Sequence, residues 1–175
     1  KFLNIEDSRE IIFVRGTTEG INLVAYAWGR DNVKEGDIIV TTEYEHHSNI
    51  VPWQLLTQEK KAQLKYIDID DNGELMLDQL DDYLSTGKVK LVTFSHMSNV
   101  LGTISPVEKI VSKCKNAGVK VLIDAAQSVP HMKVNVNEIG CDFFVFSGHK
   151  MLGPTGVGVL WAKKEILEKM SPFLG

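Results

Sequence analysis

The sequence predicts an α/β protein, a three-layer α/β/α domain built on a mainly parallel sheet of seven strands. Short apolar runs alternate along the chain with amphipathic stretches, which is typical of a parallel sheet covered by helices on both faces. Clusters of polar residues also follow five of the apolar runs, where the strands of such a sheet end and ligands bind. These two observations favour an open sheet with a ligand site at one edge.

Seven short runs rich in apolar or β-branched residues are predicted as strands. They are 11–14, 37–41, 63–67, 89–94, 119–123, 142–146 and 158–162. Five amphipathic segments between them are predicted as helices. They are 20–28, 50–60, 77–84, 107–117 and 164–170. Since no repeat, low-complexity tract or linker interrupts this alternation, we expect one domain, or most of one.

Several predicted elements carry residues that commonly start or stop them. Gly29 is predicted to close the first helix as its C-cap. Ser105 and Pro106 are predicted to cap and begin the helix 107–117. The run 70–73, Asp-Asp-Asn-Gly, is predicted as a turn because asparagine and glycine tolerate the backbone angles that turns require.

Composition limits the classes of function. Apolar residues make up 43% of the 175 residues and charged residues 24%, with a formal net charge of −4, as in an ordinary globular protein. No basic block is present, so we expect neither a nucleic-acid nor an anionic-membrane surface. No apolar run approaches the roughly 18 residues that span a bilayer, and the first ten residues lack the apolar segment of a signal peptide.

The cysteines and the chain ends indicate the setting of the protein. Cys114 and Cys141 do not form a disulfide framework, and free thiols favour a reducing, cytoplasmic location. The chain begins with lysine rather than methionine and stops soon after a helical pattern has begun. We therefore interpret residues 1–175 as a piece of a longer protein.

Five polar clusters follow predicted strands. They are Gly16-Thr17-Thr18-Glu19, Glu45-His46-His47-Ser48-Asn49, Ser95-His96-Met97-Ser98-Asn99, Asp124-Ala125-Ala126-Gln127 and Ser147-Gly148-His149-Lys150. Because parallel strands end at the same edge of a sheet, we expect the five clusters to converge on one site.

The first two clusters each allow two interpretations. Gly16, Thr17 and Thr18 open a helix, which is consistent with a simple N-cap and equally with a phosphate site at the positive end of the helix dipole. No glycine fingerprint of a dinucleotide or P-loop site occurs there. His46 and His47 lack the spaced partners of a zinc site, so no metal is predicted, whereas a histidine beside a planar cofactor can stack on its ring.

The last two clusters supply an acid and an amine. Asp124 ends a strongly apolar strand, where a carboxylate is costly unless it meets a cation or a donor; capping a turn is the alternative. A protonated pyridine nitrogen would be such a partner. The neighbours of Lys150 are apolar residues or glycines, which predicts partial burial of the lysine. Burial would lower the pKa of the amine and make it a nucleophile towards carbonyl groups.

These segments, in this order and spacing, resemble the class V aminotransferase family of fold type I pyridoxal-phosphate enzymes. Within it the likeness is greatest to group II, SUF-type cysteine desulfurases, also called selenocysteine lyases. The matching segments are 14–22, 45–53, 95–102, 124–131 and 146–158, and Lys150 lies 26 residues after Asp124. The resemblance covers nearly the whole chain, and it implies that residues 1–175 belong to the large, cofactor-binding domain. An N-terminal segment and a C-terminal small domain are then expected outside them.

The resemblance also implies a role for each residue of the site, with pyridoxal 5'-phosphate (PLP) as the cofactor. Lys150 would be the Schiff-base lysine and the base, Asp124 would keep the pyridine nitrogen protonated, and His46 would stack on the ring. Gln127 and Asn99 would contact the side of the phenolic oxygen. The remaining residues would hold the phosphate: they are Thr17, Thr18, Ser147 and His149.

The implied reaction converts L-cysteine to L-alanine and transfers the sulfur as a persulfide for iron–sulfur cluster assembly. The resemblance implies that the nucleophilic cysteine belongs to a loop of the small domain, and neither Cys114 nor Cys141 matches its motif. Residues 1–175 alone are therefore expected to lack turnover. The resemblance further implies a homodimer and a sulfur-acceptor protein as partners of the whole protein.

Other functions remain open at the level of the sequence. A selenocysteine lyase, an epimerase or an aminotransferase would use the same scaffold, and a cofactor-binding fragment without activity is a further alternative. A scaffold protein that has lost its chemistry is disfavoured by the intact set of Lys150, Asp124 and His46. A nicotinamide-dependent enzyme is disfavoured by the missing glycine fingerprint.

Overall fold

A seven-stranded sheet forms the middle of the protein. The computed structural model describes residues 3–173. The strands, in chain order from β1 to β7, are Ile11–Val14, Ile38–Thr42, Gln63–Ile67, Val89–Ser95, Lys120–Asp124, Phe143–Ser147 and Gly158–Ala162. Their order across the sheet is β1-β7-β6-β5-β4-β2-β3. Only β7 runs against its neighbours within residues 3–173, so the predicted mainly parallel sheet is confirmed.

Helices cover both faces of this sheet. The helices, in chain order from α1 to α8, are Thr17–Leu23, Arg30–Asn32, Val51–Lys60, Leu77–Ser85, Val107–Asn116, Ser128–His131, Val136–Ile139 and Lys164–Leu167. A π-helical segment, Val24–Gly29, joins α1 to α2 without a break. No helix within residues 3–173 is long and apolar enough to cross a lipid bilayer.

Alternate residues of the central strands belong to two separate cores. On one face, Val121 and Ile123 of β5 pack with Ile110 of α5. On the other face, Leu122 packs with Ile21 of α1 and Trp53 of α3. Because successive side chains of a strand point to opposite faces, a strand that is buried on both must be apolar throughout. The three-layer α/β/α prediction is therefore confirmed.

The predicted role of Gly29 is wrong. The helix continues through Gly29, whose backbone is right-handed helical, and ends at Asn32. A Cβ atom at this position would lie 2.5 Å from Cδ2 of the buried Leu56 in α3. The glycine therefore allows two helices to pack closely and does not end one of them.

The predicted cap at Ser105 is also wrong. The N-cap position of α5 is Pro106, and the Ser105 hydroxyl instead donates to the main-chain oxygen of Ser95 and lies 2.7 Å from the Tyr44 hydroxyl. The serine thus ties the start of α5 to the end of β4. The turn at residues 70–73 is present as predicted, with Gly73 at φ +77° and its N–H donating to the Asp70 oxygen at 2.9 Å.

Candidate active site

The predicted site residues surround one cavity at the carboxyl edge of the sheet. Its volume is about 190 Å³, and all nine of them line it. They are Thr17, Thr18, His46, Asn99, Asp124, Gln127, Ser147, His149 and Lys150. Ser48, Ser95, Met97 and Ala126 complete the wall. The ends of β1, β2, β4, β5 and β6 therefore converge as their shared direction requires.

The start of α1 is joined to the end of β6 by hydrogen bonds. The Thr17 N–H donates to Ser147 Oγ at 2.8 Å, and the hydroxyls of the two residues are 2.7 Å apart. The Thr17 N–H, one of the groups expected to face a phosphate, is thus engaged within the protein. Thr18 is exposed beside it at the first turn of the helix, where the helix dipole favours an anion.

A glycine contact brings these two strand ends together. Gly158 at the start of β7 pairs with Val14 on one side and with Ser147 on the other. A Cβ atom there would lie 2.6 Å from Gly16 Cα and 2.8 Å from the Phe146 oxygen. The close approach of three backbones therefore requires glycine at this position.

Asp124 is a buried acid that faces the cavity. Its residue surface is 5% exposed, and its Oδ1 accepts a hydrogen bond from the Ala126 N–H at 2.9 Å. Burial raises the pKa of the Asp124 carboxyl above its ordinary value, while the hydrogen bond from the Ala126 N–H and the charge of Lys150 lower it. No ion pair to Asp124 forms within residues 3–173. A cationic ring nitrogen in the cavity would give this carboxylate the partner it needs.

The loop after β2 fixes the ring of His46. The Ser48 N–H donates to His46 Nδ1 at 3.1 Å, and Ser48 Oγ lies 2.8 Å from the same atom. Because a backbone N–H can only donate, Nδ1 is unprotonated in this arrangement, and the neutral ring carries its proton on Nε2. The ring of His47 lies at 79° to that of His46, with centroids 6.2 Å apart, so adjacent histidines do point in different directions.

Lys150 lies on the short 3₁₀ turn Gly148–Met151 that follows β6. The prediction that Lys150 is partly buried is wrong, because Lys150 and His149 are both exposed at the mouth of the cavity. Leu152, an apolar neighbour on which that prediction depends, has a left-handed backbone and is fully exposed. The turn carries the chain outwards, so apolar residue types nearby in sequence do not bury the amine.

Asn99 and Gln127 reach the cavity from two different loops. Asn99 is exposed within a loop closed by the Ser98 N–H, which donates to the Thr103 oxygen at 2.9 Å. Gln127 is partly buried at the start of α6, and its main-chain oxygen lies 2.6 Å from His131 Nδ1. Both side chains share the cavity wall with Lys150, while their individual roles stay predictions.

One functional candidate is not predicted from the sequence. Glu45 precedes His46, and its carboxylate accepts hydrogen bonds from Thr42, Asn49 and Ser95. Burial raises the pKa of Glu45 to about 7, and these donors oppose the rise. The residue belongs to a polar cluster that the sequence does single out, but a buried network that spans two strands leaves no local pattern by which to find it.

The residues present fit PLP. The buried Asp124 carboxylate supplies an acceptor for a ring N–H, Lys150 supplies an amine, and hydroxyls of Thr18 and Ser147 stand on the wall near a helix start. A planar, anionic aldehyde with a basic ring nitrogen matches this set of an acid, an amine and anion-binding groups.

Comparison with known proteins agrees with this donor set. The family described as Aminotransferase class-V matches residues 1–175. A cysteine desulfurase from Wigglesworthia glossinidia brevipalpis is 52% identical over 176 aligned residues, which cover 100% of this chain and 43% of that protein.

Solved structures give the same result. The crystal structure of the cysteine desulfurase CsdA from Escherichia coli matches with a TM-score of 0.95 at 38% identity, covering 99% of this chain and 43% of that one. A mutant of the protein C-DES, with glycine covalently linked to its PLP cofactor, matches with a TM-score of 0.87 at 25% identity. That match covers 98% of this chain and 45% of the other. The chain therefore spans less than half the length of each of these relatives.

Proposed function

The chain belongs to the class V aminotransferase family, and from that premise we propose that the whole protein is a PLP-dependent cysteine desulfurase. It converts L-cysteine to L-alanine and passes the sulfur on as a persulfide for iron–sulfur cluster assembly. The observation that carries the proposal is that Lys150 and the buried acid Asp124 line the same cavity.

The residues around the cavity divide into those that hold the ring and those that hold the phosphate. Asp124 would face the pyridine nitrogen, His46 the face of the ring, and Asn99 with Gln127 the phenolic oxygen. Thr18, Ser147 and His149 would bind the phosphate, with Thr17 orienting Ser147 through the two hydrogen bonds between them. When bound, PLP supplies an electron sink that stabilises negative charge developing on a substrate carbon.

The residues of this chain then have separate tasks. Lys150 Nζ would hold the cofactor, and the same amine is placed to take up a proton from a substrate carbon in the cavity. Asp124 would keep a proton on the ring nitrogen, because an ionised buried carboxylate is stabilised by a cationic partner. His46 presents a ring whose Nδ1 is occupied by Ser48, leaving the proton on Nε2.

The residue that accepts sulfur lies outside residues 1–175 in this proposal, in a C-terminal small domain. Cys114 and Cys141 are both buried, and burial raises the pKa of Cys114 to about 12 and raises that of Cys141 as well. A thiol of raised pKa forms little thiolate at neutral pH and is a poor nucleophile. We therefore predict that residues 1–175 alone lack turnover. Release of sulfide from L-cysteine by that piece would contradict this prediction.

The whole protein is proposed to act as a homodimer in a reducing, cytoplasmic setting, with a sulfur-acceptor protein. Apolar side chains exposed on the loops at the cavity edge support a covered surface there. They are Val100, Leu101, Ile104, Leu152 and Val157. Removing apolar side chains from water is favourable, so a subunit that covers them would stabilise the protein. Light scattering on the full-length protein gives the oligomeric state directly.

Chemical trapping tests the assignment of Lys150. Full-length protein should be yellow, and borohydride should leave a pyridoxyl group on the peptide that contains Lys150. Lys150→Ala should lose this adduct and lower the release of alanine and sulfide from L-cysteine by at least about 100-fold, since both attachment and proton transfer depend on the amine.

Lys169→Ala is the matched control, because Lys169 is an exposed lysine that does not line the cavity. It should keep the adduct and turn over at the parent rate. If Lys150→Ala retains the adduct on the same peptide, the site assignment is wrong. If the parent protein is yellow but releases no alanine or sulfide from L-cysteine, the family assignment survives and the desulfurase proposal does not.

A further inference from the structure

Glu45 joins the His46 loop to two strands of the sheet. Its Oε1 accepts from the Thr42 hydroxyl at the end of β2 and from the Ser95 N–H at 2.8 Å at the end of β4. Its Oε2 accepts from Ser95 Oγ and from Asn49 Nδ2, both at 2.7 Å. Both oxygens of the carboxylate are therefore satisfied, each by two donors.

The orientation of Asn49 makes this network rigid. Asn49 is fully buried, and its Oδ1 accepts from Trp53 Nε1 at 3.0 Å and from the Thr93 hydroxyl at 2.6 Å. Since two donors fix the oxygen side of the amide, its NH₂ must point to Glu45. The loop that carries His46 is thus attached at both ends, through Glu45 before it and Asn49 after it.

The charge of Glu45 is stabilised by hydrogen bonds. No ion pair to Glu45 forms within residues 3–173, so its four donors alone stabilise the charge. Burial raises its pKa to about 7, because burial disfavours the charged form more than the four donors favour it. A hydrophobic residue would avoid this cost, but it would not connect β2, β4 and the loop.

We propose that Glu45 is a positioning residue, which sets the place of His46 and Ser95 on the wall of the cavity that Lys150 and Asp124 also line. The inference rests on the proposed function, because the wall is taken to hold PLP. His46, Ser48 and Ser95 all line the cavity. Ser95 is hydrogen-bonded to Glu45, His46 follows Glu45 in the chain, and Ser48 precedes Asn49, which is hydrogen-bonded to Glu45. Preorganised geometry of this kind governs rate, since small displacements of reacting groups lower it strongly.

An amide cannot replace this carboxylate. In Glu45→Gln, the new NH₂ would face either the Ser95 N–H or the fixed NH₂ of Asn49, and neither of those groups can accept a hydrogen bond. The loop must then shift to relieve two opposed donors. Glu43→Gln is the matched control, because Glu43 lies exposed two residues earlier and its carboxylate makes no hydrogen bond within residues 3–173.

The experiment uses full-length protein and three measurements. They are the visible circular dichroism of bound PLP without substrate, the affinity of the cofactor-free protein for PLP, and kcat and KM for L-cysteine. Glu45→Gln should change the circular dichroism band and lower kcat about tenfold or more, with KM within about threefold of the parent. Glu43→Gln should match the parent in all three.

A second pair of variants covers the case in which Glu45→Gln fails to fold. Thr42→Val removes one donor to Glu45, whereas Thr41→Val removes a buried hydroxyl that finds no partner within residues 3–173. Both threonines are fully buried neighbours in β2. Thr42→Val should lower kcat about two- to fivefold and shift the circular dichroism band, whereas Thr41→Val should do neither.

The outcomes separate this inference from the proposed function. If Glu45→Gln behaves like Glu43→Gln, or loses thermal stability alone with an unchanged band and kcat, Glu45 does not position the site. Equal behaviour of Thr42→Val and Thr41→Val overturns the inference in the same way. Failure of the proposed function would be seen in the parent protein itself, as absent PLP or absent turnover of L-cysteine.

Discussion

Asp124 has to satisfy two opposed requirements at the scale of a single residue. It must stay ionised to stabilise a cationic ring nitrogen, yet it lies at the buried end of β5, where burial raises its pKa. The hydrogen bond that its Oδ1 accepts from the Ala126 N–H compensates this burial in part. A residue selected for a ligand is therefore expected to weaken the fold when that ligand is absent.

Asp124→Asn should reveal this conflict. Because the pKa of Asp124 is raised in the folded protein, its ionisation lowers the free energy of unfolding. This loss begins at about pH 4, where aspartate in the unfolded chain ionises, and it grows as the pH rises. The cofactor-free variant should thus unfold at a higher temperature than the parent at about pH 7, with the difference shrinking as the pH falls towards about 4. Turnover of L-cysteine by the loaded variant should fall on the order of 100-fold.

Two measurements check this prediction. Thermal unfolding of the cofactor-free proteins between about pH 4 and 8 gives the stability difference, and alanine release gives turnover. Asp71→Asn, which changes an exposed carboxylate in the turn at residues 70–73, is the control and should alter neither. If the cofactor-free Asp124→Asn variant is less stable than the parent at neutral pH, Asp124 stabilises the empty fold and the conflict does not exist.

Residue identity predicts which side chains gather at the cavity, but not how each is buried. All nine predicted residues line it, because their clusters follow strands that share a direction. The exposure of Lys150 depends on the path of the turn Gly148–Met151, which residue types do not determine. Glu45 escapes prediction because its partners Thr42 and Ser95 are brought together by the pairing of β2 with β4, a contact between distant parts of the chain.

At the scale of the element, apolar periodicity predicts the strands to within about a residue. The strand expected at residues 119–123 is β5, Lys120–Asp124, because its pairing with β4 runs from Lys120 to Asp124, while the Val119 N–H still donates to the Cys114 oxygen of α5. The four-residue helices α6 and α7, Ser128–His131 and Val136–Ile139, are not predicted. An element of about one turn is too short to show a helical period of about 3.6 residues.

The close contact between β1, β6 and β7 gives a prediction at this scale. Gly158→Ala would place Cβ 2.6 Å from Gly16 Cα and 2.8 Å from the Phe146 oxygen, so backbone rather than a flexible side chain must move. We expect a loss of about 3 kcal/mol in the free energy of unfolding, with weaker PLP binding because the Gly16-Thr17 turn is displaced. Urea unfolding and PLP titration measure the two effects.

Gly36→Ala separates steric overlap from backbone strain. Gly36 has φ +81° with open space around its Cα, so alanine there suffers only the left-handed backbone, at about 1 to 2 kcal/mol. It should leave PLP affinity unchanged. A Gly158→Ala protein as stable as the Gly36→Ala protein would mean that β7 can move away from Gly16 at little cost.

Across the whole molecule, the two edges of the sheet differ in how their buried polar groups are satisfied. The carboxyl edge carries the cavity, where buried polar groups face a ligand. The opposite edge carries Asp142, which immediately precedes β6 and is 6% exposed. Asp142 accepts from Lys120 Nζ at 3.1 Å, from Lys163 Nζ at 3.0 Å and from the Val121 N–H at 3.0 Å. This carboxylate is satisfied within the protein, so we interpret its role as structural.

Asp142→Asn should therefore lower stability and leave the site intact. An amide has no charge to pair with Lys120 of β5 or with Lys163, which directly follows β7. Its NH₂ also cannot accept a hydrogen bond from the Val121 N–H or from either ammonium group. We expect a loss of about 2 to 4 kcal/mol in the free energy of unfolding, measured with urea, and unchanged affinity for PLP. Asp81→Asn removes a more exposed pair with Lys113 and should cost less than about 1 kcal/mol.

If Asp142→Asn weakens PLP binding under conditions in which the protein remains folded, the two edges are energetically coupled through β5 and β6. The separation of a structural edge from a ligand-binding edge is then wrong.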